Sequence, residues 1–287
     1  MLKKLLKYDF AAIYKIWTIF AVAVVGMALI TSFLIRFVLE LSTSDNSLYY
    51  VLSTILTTVM SVGLMLLYFG LLTITPILCY YRYYKNFFSD EGYLTFTLPV
   101  SRKDLYLAKV VNTFIFSLGN VLVTVVTALV MFTIIPPATQ TYPVINPVVF
   151  NFIGKAFGGI WEMLGGWTIA YALLGIVMIV LAELYNIGLI HLAVTVGATV
   201  AKKQKLLAGI GIYMAATSII SFVAQFFTIF SSEAVAGFAF LIGRLPDTQG
   251  MAAVFVCLLL IAVVTAVLAV ILHFVTLNTI EKKLNLA

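Results

Sequence analysis

Residues 251–277, "MAAVFVCLLLIAVVTAVLAVILHFVTL", contain no Asp, Glu, Lys or Arg. A helix crossing the ~30 Å hydrocarbon layer needs ~20 mostly apolar residues, and this run is longer than that. Five further runs meet the same length: Trp17–Ile35, Val51–Leu78, Val110–Ile135, Trp167–Leu192 and Leu206–Phe230. In lipid each backbone amide must be satisfied within its own segment, so the runs read as helices. A closed barrel would instead show ~10-residue alternating strands. None is present. The chain is 63% hydrophobic and 10% charged, with mean hydropathy +1.14, whereas an ordinary soluble domain is ~25% charged. The expected fold class is all-α: a polytopic membrane protein with six transmembrane helices in one domain over 1–287.

Charge then orients it. With the N-terminus placed in the cytoplasm, 14 of the 17 Lys and Arg fall in the inner segments, and Arg36, Lys155 and Arg244 fall outside. The positive-inside rule therefore puts both termini in the cytoplasm. The net charge of +6 serves orientation and contact with anionic membrane lipid, not nucleic acid. Cys79 and Cys257 belong to opposite ends of their spans, far beyond the ~7 Å Cα limit of a disulfide, and are expected as thiols. The N-terminus is expected to be an uncleaved anchor, because its apolar run exceeds a ~7–15-residue signal core.

Within "MLKKLLKYDFAAIYKI" (1–16), Leu2, Leu6, Phe10 and Ile13 share a stripe that avoids Lys3, Lys4, Lys7 and Lys15. This predicts an amphipathic helix in the inner interface before the chain turns into the membrane. Pro76 predicts a kink or an early stop in the second span. The outer loop, 136–166, opens on Pro136, Pro137, Pro143 and Pro147, which favour extended backbone. Its apolar 148–164 stretch reads equally as interfacial or re-entrant.

The fourth span holds Glu183, Asn186 and His191, within an arc of about 140° on one helical face. An ionisable group inside a membrane is a functional-site candidate. Against this, the rise from Trp167 to Glu183 is about 24 Å, which sets Glu183 near the inner boundary. Other chemistry is missing from the sequence. There is no G-x-x-x-x-G-K-[S/T] loop, no H-E-x-x-H helix and no G-x-S-x-G elbow, and two His with two Cys supply a zinc centre poorly. The chain is not expected to be an enzyme or to hold a metal or other cofactor.

The longest polar stretch is "SDEGYLTFTLPVSRKDLYLAKV" (89–110), inside the inner loop 79–109. Ser89 before Asp90 and Glu91 reads as an N-cap with acids in the first turn. Gly92 marks a break, and Pro99 pushes Leu98 out of helical dihedrals. Ser101 and Asp104 stand three apart as a capping box, so a helix is expected to start at Arg102 and to run on as the third span. Such a part can carry a push from the cytoplasm into the membrane. It can equally be a solvated connection.

This stretch resembles the cytoplasmic signature of permease subunits of ABC transporters of the second exporter class. The matching positions are Glu91–Gly92, the apolar Leu94 to Leu98, Pro99–Val100–Ser101–Arg102 and Lys109. Six spans, inner termini, a basic lead-in and the Lys282–Leu286 end are similar too. A departure is that the large outer excursion falls between spans three and four, not five and six. The resemblance implies a permease of a bacterial cell membrane, working as a homodimer or heterodimer with separate ATP-binding subunits that hold ATP and Mg. It implies that 89–110 is a coupling helix seated on the ATPase. Asp90 and Glu91 would meet basic groups there, Leu94, Phe96 and Leu98 would fill its groove, Pro99 and Ser101 would set the angle to span three, and Gly92 and Arg102 complete the coupling set. The alternatives are a proton- or ion-coupled carrier using Glu183 and His191, and a non-transporting sensor or scaffold subunit.

Overall fold

The computed structural model describes residues 2–41, 47–89, 91–97, 99–134, 148–201, 203–242 and 247–283. These form eight helices and, among the described residues, no strand: α1 (Leu2–Leu41), α2 (Ser47–Phe88), α3 (Glu91–Phe96), α4 (Arg102–Ile134), α5 (Val148–Leu164), α6 (Trp167–Val200), α7 (Lys205–Ile242) and α8 (Asp247–Lys283). Six of them, α1, α2, α4, α6, α7 and α8, are long and apolar enough to cross a membrane. Large apolar side chains stand bare along them, such as Met65 at 72% and Phe274 at 70% exposure. Apolar surface on this scale requires an apolar surrounding.

Several helices outrun their expected ends. α1 is one helix from Leu2 to Leu41, with no separate lead-in segment, because neither Gly nor Pro occurs before Gly26. α2 continues through Pro76 to Phe88, so Pro76 stops nothing. "CYYRYYKNFF" (79–88) contains no helix breaker. The 148–164 stretch is the helix α5, closed by the Gly165 N–H donating to the Trp161 carbonyl at 2.7 Å. Gly165 takes φ +54 there, the left-handed residue that commonly ends a helix. The four loop prolines, Arg244 and the 284–287 end lie outside the described residues.

The chain divides into two compact units. One comprises Met1–Leu2, Tyr80–Val110 and Ile160–Ala287, and the other Lys3–Cys79 and Val111–Gly159. Both α2 and α4 contribute to each. In the second unit Ala21, Val24 and Ala28 of α1 form a small-residue stripe, packed with Leu64 and Leu71 of α2 and Val123 of α4. Small residues let backbones approach where lipid offers no hydrophobic drive between helices. In the first unit α6 packs along α7 and α8. Gly197 is obligatory at the α6–α7 approach: a Cβ there would sit 2.3 Å from the Gly209 backbone nitrogen. Neither cysteine is in a disulfide.

Candidate functional site

The end of α2 and the start of α4 form a helical hairpin around the polar 89–110 stretch, with α3 between them in the chain and the Tyr83 and Tyr106 rings of the two arms edge-on, centres 6.3 Å apart. Each corner has its own device. At the first, the Ser89 hydroxyl donates to the Lys85 carbonyl and the Gly92 N–H donates to the Ser89 carbonyl at 2.8 Å. Ser89 thus closes α2 and is not the N-cap of α3. Gly92 lies inside α3 and is no break. A Cβ on it would meet the Phe87 carbonyl oxygen at 2.9 Å, so the tight corner demands glycine.

At the second corner the Asp104 N–H donates to Ser101 Oγ at 3.1 Å, and the Leu105 N–H donates to the Ser101 carbonyl at 3.1 Å. The expected cap is present, and α4 begins at Arg102. Arg102 does more than sit in the corner. Its guanidinium donates to the Glu281 carbonyl at 2.8 Å and the Ile280 carbonyl at 3.4 Å. These are among the last carbonyls of α8, which lack partners within their own helix, and a cation suits that helix end. Arg102 also lies over the Phe96 ring, 5.4 Å from its centre.

Along α3, Glu91 is exposed and forms an ion pair with Lys85 at 2.7 Å. Both partners are about half exposed, so solvent screens the pair and it adds little. Leu94 is exposed, while Phe96 is half-buried with its ring edge-on to Phe87. Pro99 is exposed. Asp90 and Leu98 lie outside the described residues.

The hairpin stands on a buried aromatic base. Tyr83 lies face to face with His191 of α6, ring centres 4.1 Å apart, and Tyr80 and Tyr106 meet the same imidazole edge-on. The Thr195 hydroxyl donates to the His191 carbonyl, which leaves its oxygen to accept the Tyr83 hydroxyl at 2.7 Å. His273 of α8 donates from Nε2 to the Leu184 carbonyl at 3.1 Å, so its Nδ1 accepts the Tyr106 hydroxyl at 2.6 Å. Neither ring nitrogen of His191 has a hydrogen-bond partner among the described residues. The base thus joins the end of α2 and the start of α4 to α6 and α8.

The Glu183–Asn186–His191 face does not become one site. His191 is fully buried in the aromatic base. Asn186 accepts a long hydrogen bond from the Tyr213 hydroxyl at 3.4 Å, and Glu183 is half-buried. No hydrogen bond or ion pair links Glu183 with His191 among the described residues, nor is there a group of three or more His, Cys, Asp and Glu placed to hold a metal ion. Sequence reasoning passed over Tyr83, Tyr106 and His273. The available signal was the second histidine of a chain that holds only two.

These features define a multi-pass helical membrane protein with a short, braced hairpin at one end of two of its spans. No protein-family model, curated protein or solved structure matches the chain.

Proposed function

We propose that the chain is the permease subunit of an ATP-driven exporter of the second ABC class. Its termini and the 79–109 hairpin face the cytoplasm, and a separate subunit binds and hydrolyses ATP with Mg. The observation that carries this reading is α3, a six-residue helix joining two hairpin arms that continue into membrane-length helices. A solvated connection needs neither a glycine pressed on a carbonyl nor a hydroxyl cap nor an aromatic base. A lever needs all three, because a force applied at α3 must reach α4 without being lost in a soft joint.

Closure of a pair of ATPase subunits would press on α3 through Leu94 and the acidic Asp90–Glu91 end. The Ser101 cap would pass that displacement to α4. Arg102 and the Tyr83–His191 stack would carry it to α8 and α6. A second permease chain, identical or related, completes such a transporter.

The test is co-purification with a phosphate-loop ATPase encoded beside this chain. Replacing Asp90 and Glu91 together by Lys is expected to lower ATPase recovery at least ~10-fold, with membrane insertion unchanged. Combining Lys85→Glu with Glu91→Lys restores the ion pair in reverse. Recovery should stay low if charge on α3 is what docks. Full recovery in both variants would remove the docking role.

A further inference from the structure

A second feature lies in the other unit and is independent of coupling. The first turns of α1 and the Asn112–Ile115 turn of α4 line an open groove of about 440 Å³, within the ~300–1,000 Å³ of small-molecule sites. Lys3, Lys7, Phe10 and Tyr14 line it from α1 at helical spacing, with Leu6 beside them. Asn112 lines it from α4. The two lysines are exposed at the rim. Asn112 is only 3% exposed, and its Oδ1 has no hydrogen-bond donor among the described residues.

Each part asks for something different. The walls are apolar. Two ammonium groups one turn apart have only donors to offer and call for an anion. A buried amide oxygen without a donor is costly and calls for a hydroxyl or N–H. A single occupant meets all three demands: a phospholipid with a net negative phosphate, a hydroxyl-bearing head group and acyl chains. We propose that this groove binds one anionic glycerophospholipid of the phosphatidylglycerol class, with Lys3 and Lys7 on the phosphate and an acyl chain along Leu6 and Phe10, and with a small shift of the side chains covering Asn112 Oδ1 that lets it accept from the head-group hydroxyl. A basic rim beside a membrane surface attracts such lipid in any case. Asn112 is what makes the head group matter.

The experiment uses the purified full chain in detergent and three dioleoyl lipids, with retention measured by native mass spectrometry. Phosphatidylglycerol supplies charge and hydroxyl, phosphatidylmethanol charge alone, and phosphatidylcholine neither. Phosphatidylglycerol is expected to bind at least ~10-fold better than phosphatidylcholine, and about fivefold better than phosphatidylmethanol. Lys3→Gln with Lys7→Gln should weaken phosphatidylglycerol about 25-fold, near fivefold per charge. Asn112→Leu should erase the difference between phosphatidylglycerol and phosphatidylmethanol while keeping the preference over phosphatidylcholine. Equal retention of the three lipids by the native chain overturns the proposal, as does an Asn112→Leu chain that still separates the two anionic lipids. Displacement of bound lipid by soluble glycerol phosphate would show that the acyl chain is not held. If Asn112→Leu does not fold, the lipid series on the native chain and the surface lysine pair still decide.

Discussion

The base of the hairpin and the contact of α1 with α4 in the other unit both bury polar atoms among large side chains, and they do so differently. At the base, rings fill the space. His191 is enclosed by Tyr80, Tyr83 and Tyr106 with both nitrogens unpartnered among the described residues. In the α1–α4 contact an amide organises the space. Asn120 Oδ1 accepts the Trp17 indole N–H at 2.8 Å and a longer share of the Thr75 hydroxyl at 3.3 Å. The Tyr68 hydroxyl is held one turn on, by Thr124 at 2.6 Å. A buried polar atom without a partner costs about 1–3 kcal/mol, so it survives where packing outweighs that cost. The first region should therefore depend on volume and the second on hydrogen bonds.

The largest expected effect probes volume. Farther along α6 from His191, Gly197 leaves no room for a side chain against Gly209 backbone. Gly197→Val has to separate α6 from α7. Because the obstacle is backbone that cannot rotate away, a loss above ~5 kcal/mol is expected, beyond the ~1–3 kcal/mol usual for overpacking and read as chemical or thermal unfolding in detergent. Gly175 on the same helix has nothing within 4 Å of a would-be Cβ. Gly175→Ala should be neutral or gain roughly 0.5–1 kcal/mol from helix propensity. Equal losses at the two sites would mean that glycine matters here for flexibility and not for fit.

A middle effect probes hydrogen bonding. Asn120→Ala removes the acceptor shared by Trp17 and Thr75. Thr75 can still donate to the Leu71 carbonyl, at 2.7 Å, but the half-buried indole loses the acceptor of its N–H. A loss of about 1–2 kcal/mol is expected. It should appear with a shift in Trp17 fluorescence, since the indole gains freedom. A loss below ~0.5 kcal/mol would place the α1–α4 contact in the same volume-driven class as the hairpin base.

Much of this arrangement was legible in the chain before the helices were seen in space. Six apolar runs are a local property, and so is the Ser101–Asp104 cap, because its two partners stand three residues apart. What could not be read depends on distance along the chain. Arg102 meets the end of α8, and Tyr106 meets His273, across more than 160 residues; no periodicity reports such pairs. Gly92 looked like a break because glycine breaks helices in general, yet here it permits close approach to Phe87. The polar content of 79–88 suggested a loop, whereas its aromatic residues turn a helical face inward. Glu183, Asn186 and His191 do share an arc of α6. Their separate fates were set by α7, α8 and the end of α2, which a single-helix projection leaves out.

The smallest expected effect tests the hairpin base directly. Tyr83→Phe deletes one hydroxyl and keeps the ring on His191. Thr195 loses an incoming bond but still donates to the His191 carbonyl, so no buried donor is stranded. The expected loss is below about 1 kcal/mol. Tyr83→Ala, which empties a fully buried ring site, should cost about 3–5 kcal/mol. The ratio of the two is the informative quantity, measured on the same unfolding curves. If deleting the hydroxyl costs as much as Asn120→Ala, the base is held by its polar tips and the contrast between the two regions fails. If the hydroxyl is nearly silent and the ring is not, the packing of the rings is what fixes the hairpin base to α6.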